Sequence, residues 1–221
     1  MAGPFLKWAG GKHRVVQELL RINSDCPPLD REWGVGVGVR YHEPFLGSGA
    51  MYFGLRDSGL IRTKHFSHLS DINPALINAM RVVGEDGLLE SLIGTLKSWQ
   101  EEYGKEGPVP KNSSQAERDA GMYYKKRHEL NRYLSKPRGG DDPVEFDPVE
   151  FAALTIFVNK TCFNGLWRMN GQGRFNVPEG DYVNPRNICQ EGVLLRCNQL
   201  LKRTKIERDF CKNIANLIGT T

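Results

Sequence analysis

The 221-residue sequence contains no apolar run approaching the roughly 18 residues that a membrane-spanning helix needs. Its amino end, MAGPFLKWAGGKHRVV, lacks the apolar stretch of about 7–15 residues that a secretory leader carries, so the expected location is the cytoplasm. Cysteine is sparse and odd in number. The five residues, at positions 26, 162, 189, 197 and 211, form no C-x-x-C pair, which argues against a disulfide framework and a zinc finger and predicts reduced thiols. Histidines are scattered, with only a weak His65/His68 spacing, and no metal is expected. No repeat of solenoid length is visible. What is present is a globular composition, 39% apolar and 25% charged, sufficient for one cored domain with or without a small insert.

The net charge of +4 conceals an asymmetry. Residues 157–221 hold ten Lys/Arg against five acids, a net of +5 that leaves −1 for residues 1–156. A basic C-terminal third suits a polyanion, because cations that neutralise phosphates release condensed counterions. A solvated surface would account for the same charges.

Periodicity predicts a helix over 12–22, where Val15, Val16, Leu19 and Leu20 share a face, closed by Pro27-Pro28. A strand over 37–43 leads through a Gly-rich turn to a helix over 49–58. A second strand over 65–70 ends at Ser70-Asp71. Asn73-Pro74 opens a helix, with Pro74 at the tolerated first position, and the helical pattern runs to about 102 with a break near Gly84–Gly87. Loops over 104–114 and 135–148 bracket a charged helix over 115–134. The tandem Asp142-Pro143-Val144-Glu145-Phe146 and Asp147-Pro148-Val149-Glu150-Phe151 turn the chain into an apolar helix over 149–160. A hairpin with a long loop is expected over 163–185, then a helix over 190–203 and a strand over 205–210. The first half thus reads strand–turn–helix–strand–acid, a βαβ nucleotide-binding half. The middle reads as a separate helical lobe.

Two segments carry recognisable chemistry. In Glu43-Pro44-Phe45-Leu46-Gly47-Ser48-Gly49-Ala50, Gly47 and Gly49 allow a tight bend and close approach of a ligand to the positive end of the following helix. Asp71, 22 positions after Gly49, suits an acid that accepts ribose hydroxyls. The glycines at 34, 36 and 38 precede a strand instead of following one and are set aside. In Phe5-Leu6-Lys7-Trp8-Ala9-Gly10-Gly11-Lys12 the Walker spacing fails, since residue 13 is His and residue 6 is Leu. Trp8 beside Lys12 either stacks on and holds a carboxylate-bearing cofactor or packs in the core.

FLKWAGGK, HEPFLGSGAMYF (42–53) with SDINPALIN (70–78), and VNKTCFNGLWRMNGQGRFNVPEGDY (158–182) together resemble the Dam family of adenine-N6 DNA methyltransferases, over about Phe5 to Ile214. The resemblance implies an α/β fold: a Rossmann-like, S-adenosylmethionine-dependent sheet with an inserted helical DNA-recognition domain. Residues 1–80 and 189–221 would form the cofactor-binding part, and residues 81–188 the recognition part with its hairpin at 163–182. Trp8, Lys12 and Asp71 match cofactor-contacting positions, Asp71 taking the ribose hydroxyls. Glu43, Phe45, Gly47 and Gly49 match the floor beneath the methionine part. Lys7, Asn164, Leu166, Arg168, Pro178 and Tyr182 match DNA-side positions. Arg168 suits bidentate contact with guanine, Asn164 can address adenine or phosphate, and Leu166 or Trp167 can wedge into the base stack. The implied reaction is methyl transfer to adenine N6 in double-stranded DNA, GATC being the expected site. The adenine flips out and reacts directly, with no covalent enzyme intermediate.

The sequence departs from the family in one respect. The family's catalytic Asp-Pro-Pro-Tyr is absent, the sole Pro-Pro being Pro27-Pro28 between Cys26 and Leu29. That motif accepts the amino hydrogens of adenine and holds the flipped base, and no catalytic residue is assigned here in its place. The later strands are also missing, which would leave an exposed sheet edge. The expectation is a monomeric enzyme incomplete at its C-terminus, possessing cofactor and DNA binding but little turnover unless a complementing fragment is supplied. A non-catalytic DNA-binding remnant or regulator is the main alternative. An S-adenosylmethionine enzyme acting on RNA or a small molecule is a third, which the hairpin disfavours.

Overall fold

A computed structural model of the chain describes residues 3–8, 16, 18, 41–61, 66–135, 146–181 and 187–208. Lys12, Tyr182, His65, Cys26, Cys211, Pro27-Pro28, the Gly34–Gly38 run, the first Asp-Pro repeat and most of the helix predicted over 12–22 lie outside the described residues.

Three short strands, β1 (Tyr41–Glu43), β2 (Ser67–Ser70) and β3 (Thr204–Glu207), form a parallel sheet in the order β1-β2-β3. Glu43 is registered with Leu69, and Leu69 with Ile206. All four residues of β2 are buried, as expected of the central strand of a parallel sheet covered on its faces. Between β1 and β2 the chain crosses over through α1 (Ala50–Asp57), the predicted βαβ unit.

Helix α1 is fastened to the far end of the chain by two residues one turn apart. The Tyr52 hydroxyl donates to Leu200 O at 2.6 Å and shares a hydrogen bond with Thr204 Oγ1 at 2.7 Å. Buried Arg56 donates through Nε to Leu200 O at 3.1 Å and through Nη2 to Lys202 O at 2.7 Å. These carbonyls end α7 (Glu191–Leu201) and have no partner within their own helix, so a cation aimed at them satisfies both hydrogen bonding and the helix dipole.

Helix α2 (Pro74–Gly84) starts as its sequence predicts, with the Asn73 side chain accepting from the amides of Ala75 and Leu76 and Pro74 in the first turn. Helix α3 (Asp86–Glu106) follows directly, so the break falls at Glu85, and the helix runs on to Glu106. The charged segment predicted as one helix is two: α4 (Gln115–Ala120), opened by a Ser114/Glu117 capping box, and α5 (Met122–Ser135). The divide is Gly121, which is extended (φ −70°, ψ 145°). A side chain there would come within 2.3 Å of Val109 Cγ2, so close packing against Val109 reserves this position for glycine.

Helix α6 (Pro148–Thr161) is capped by Asp147 with Pro148 in its first turn, and every residue from Phe151 to Thr161 is buried. It packs against α2, α3 and α5 and forms the axis of the hydrophobic core. A helix apolar on all sides is the pattern of a fully enclosed element. The described chain is therefore a mixed α/β structure with a small parallel sheet and seven α-helices.

Candidate functional site

The chain leaves β1 at Glu43 and bends through Gly47 (φ 52°) and Gly49 (φ 73°), left-handed conformations that cost a side-chain-bearing residue energy and glycine almost nothing. Gly49 is the N-cap of α1. The bend is tied to the end of β2. Leu46 N donates to Ser70 O at 2.9 Å, and Ser70 Oγ donates to Pro44 O at 3.2 Å. Asp71 accepts from Gly47 N through Oδ2 and from Asn73 N through Oδ1, each at 2.9 Å. A carboxylate has about four lone-pair sites, so two amides leave it capacity for hydroxyl donors. On the other side, Asp71 N donates to Glu207 O at 3.3 Å and Arg208 Nε donates to Ile72 O at 3.0 Å, linking the acid's loop to β3.

Around this turn the sequence-predicted residues separate by environment. Trp8 lies over Gly47, where a Cβ would be 3.4 Å from Trp8 Cδ1. Glu43 accepts from the Tyr41 hydroxyl at 2.9 Å; burial and then the Glu43 carboxylate push the Tyr41 phenol well above its ordinary range. Phe45 is 73% exposed and Ile72, which sequence reasoning did not single out, is 69% exposed, one on each loop leaving the sheet. Asp71 thus lies at the carboxyl end of a parallel strand, where open α/β sheets bind ligands. Trp8, Gly47 and Asp71 come together in this turn, with Gly49 opening the helix behind it and Phe45 on its exposed lip.

The hairpin is a second, adjoining element. Its tip is organised by Asn170, whose Oδ1 accepts from Gln172 N and Arg174 N at 3.0 Å each, with Gly173 in the left-handed region. Exposed Arg168 donates through Nε to Asn176 Oδ1 at 2.9 Å. The returning segment 175–177 is fixed to α5: Asn131 exchanges two hydrogen bonds with the Phe175 backbone (3.0 and 2.7 Å), and the Tyr123 hydroxyl donates to Val177 O at 2.8 Å. At the base, Glu179 accepts from the Tyr103 hydroxyl at 2.7 Å and from Val109 N at 3.0 Å. Asn164 and Pro178 are exposed and Leu166 is half-buried. Half-buried Trp167 stacks on Trp8 and meets Phe175 at a tilt of 59°.

Two residues behind the site were not singled out from the sequence. Asn159, buried in α6, bonds the Lys7 backbone in both directions at 2.8 Å. Its signal was one carboxamide inside an apolar helix. Lys160 beside it is 6% exposed and donates to Gln190 Oε1 at 2.8 Å. Burial, with the nearby Lys7 charge, lowers its pKa to about 8. His68, buried in β2, bonds Glu207 through Nε2 at 2.9 Å, and burial lowers its pKa despite that carboxylate. Cys162, Cys189 and Cys197 are buried thiols. Among the described residues no group of three His, Cys, Asp or Glu could hold a metal ion, and no helix is long and apolar enough to cross a membrane.

The sequence profile of the D12 class of N6 adenine-specific DNA methyltransferases matches residues 8–217. The chain belongs to that family. Among curated relatives, this D12-class chain is 36% identical over 205 residues to the type II methyltransferase M.MjaIII of Methanocaldococcus jannaschii, covering 92% of this chain and 60% of that protein. It is 30% identical over 181 residues to the DNA adenine methylase of Haemophilus influenzae, covering 81% of this chain and 47% of the relative. The same identity holds over 184 residues of the DNA adenine methylase of Escherichia coli, 82% of this chain and 49% of the relative. The chain thus spans about half the length of the two DNA adenine methylases and 60% of the archaeal enzyme.

Proposed function

We propose that this D12-class chain binds S-adenosylmethionine at the β1–α1 turn and double-stranded DNA on the adjoining hairpin, serving methyl transfer to adenine N6 in GATC. In this reading residues 1–80 and 189–221 are the Rossmann-like cofactor part, and residues 81–188 are the inserted recognition part. The observation that carries it is Trp8: one ring lies over Gly47 of the turn and stacks on Trp167 of the hairpin.

The turn fits such a cofactor. Asp71 has lone pairs for ribose hydroxyls, Phe45 and Ile72 offer apolar surface to a purine, and Gly47 and Gly49, with Glu43 behind them, form a floor without side chains for the methionine part. Lys12 follows as a cation for its carboxylate. When bound, S-adenosylmethionine supplies an electrophilic sulfonium methyl group. The protein's part is to orient that group against the DNA face, where Lys7 and Asn164 meet backbone or adenine, Arg168 addresses guanine O6/N7, and Leu166, Pro178 and Tyr182 shape the space beside a flipped base. No Asp-Pro-Pro-Tyr occurs in the sequence, so no residue is assigned to accept the adenine amino hydrogens. Turnover by these 221 residues alone is expected to be weak or absent unless a complementing fragment provides the motif.

The test is binding to a GATC duplex and to a scrambled duplex across a salt series. The expected result is a steep salt dependence for both and tighter binding to GATC. Arg168→Ala should erase roughly 5- to 150-fold of that preference, the value of one bidentate base contact of about 1–3 kcal/mol. Equal affinity of the unaltered chain for both duplexes would overturn the reading.

A further inference from the structure

Lys7 and Trp8 are tied to residues of the hairpin and of the helix that leads into it. The Asn159 carboxamide, fully buried, accepts from Lys7 N at 2.8 Å and donates to Lys7 O at 2.8 Å and to Gly165 O at 3.3 Å. One side chain therefore fixes both faces of the Lys7 backbone and the turn that opens the hairpin. Gly165, with φ 64°, lies directly against Lys7: a Cβ there would fall 2.5 Å from Lys7 Cβ. One residue on, the Trp8 and Trp167 rings stack with centroids 5.9 Å apart and planes 24° from parallel, and Trp167 leans on Phe175 at 5.1 Å. Trp167 Nε1 is buried without a hydrogen-bond partner, a cost that native proteins avoid where a ring is free to turn. The ring contacts with Trp8 and Phe175 thus accompany an unpaired polar atom, so packing rather than hydrogen bonding holds the ring.

We infer that Trp167 is a positioning residue for the cofactor site: it acts through Trp8, holding that ring over Gly47 so that cofactor affinity depends on a residue of the DNA-recognition hairpin. The inference rests on the reading above, in which Trp8 lines the cofactor site. An aromatic pair of this kind is worth roughly a 2- to 12-fold change in affinity beyond its buried area. Because binding linkage is reciprocal, duplex and cofactor should change one another's affinity by the same factor.

The experiment is calorimetric titration of S-adenosylhomocysteine into the full chain and into Trp8→Leu, Trp167→Leu, Trp167→Phe and the double Trp8→Leu/Trp167→Leu variant, each checked for a cooperative thermal melt. Trp167→Leu should weaken binding by roughly 2- to 12-fold, Trp167→Phe should restore most of the loss, and the double variant should bind no worse than Trp8→Leu. Unchanged affinity in Trp167→Leu, or losses that multiply in the double variant, would overturn the inference while leaving the cofactor site standing. Unchanged affinity in Trp8→Leu would overturn both. Should Trp167→Leu fail to fold, the unaltered chain decides: the homocysteine compound titrated with and without GATC duplex must show a matched change in both affinities, and independent binding refutes the coupling.

Discussion

Replacing Lys160 by methionine should change how stability depends on pH, and the sign and size follow from the structure. Lys160 is 6% exposed, with Lys7 nearby, and its pKa falls from 10.5 to about 8 on folding. Between those values the unfolded chain carries a proton that the folded chain has lost. Stability therefore rises with pH across this window, by about 1.4 kcal/mol per unit. The contribution is complete above 10.5 and is lost as pH falls through about 8. From pH 7 to 9.5 about 1.5 units of the window are crossed, worth roughly 2 kcal/mol. Other groups titrate there as well. Burial raises Cys162 to about 11 and Cys197 to about 12, which makes stability fall with pH above about 9. Both thiols remain in the variant, so the difference between parent and Lys160→Met isolates the lysine. The hydrogen bond to Gln190 is lost as well, but the neutral lysine also makes it, so that loss shifts the difference without sloping it. Urea unfolding of both proteins at pH 7 and 9.5 should show the parent gaining about 2 kcal/mol relative to the variant at the higher pH. Parallel profiles within about 0.5 kcal/mol would refute the assignment of a desolvated, readily deprotonated lysine at this position.

Three further outcomes are expected. Arg56→Met removes a buried donor from Lys202 O and from Leu200 O, which keeps the Tyr52 hydroxyl, and should cost about 1–3 kcal/mol in chemical denaturation. Asn131→Leu removes both hydrogen bonds to the Phe175 backbone, so the Phe175 amide should exchange with solvent at least about ten-fold faster while α5 stays folded. Gly165→Ala forces a side chain into a left-handed conformation against Lys7 and should cost at least about 1–3 kcal/mol in a thermal or urea melt.

The parts of this architecture that were legible in the sequence are those whose physics is local. Asn73-Pro74 and Asp147-Pro148 start helices because their side chains reach amides two and three residues ahead, and both do so in the structure. The Gly47–Gly49 bend with an acid at the next strand end was visible for the same reason: strand, turn and helix follow one another without interruption. The helical pattern over 115–134 did not show the break at Gly121, nor that Val109 packs against that glycine. Nor was there a sign of the Asn159 and Asn131 tethers, which join backbone groups 152 and 44 residues away. The Trp8–Trp167 stack belongs to the same class. Motif reading assigned the first ring to the cofactor or the core and offered the second, or Leu166, as a wedge into the base stack, and nothing in their spacing announced that they meet.

The central claim is that the β1–α1 turn grips a nucleoside through Asp71. Its most direct test is calorimetric titration of S-adenosylmethionine into the parent chain and into Asp71→Ala. The account predicts saturable single-site binding to the parent, weakened by roughly 10- to 150-fold in the variant, the range for hydrogen bonds to a charged acceptor worth about 1.5–3 kcal/mol. No binding by the folded parent, or equal affinity in both proteins, would contradict it.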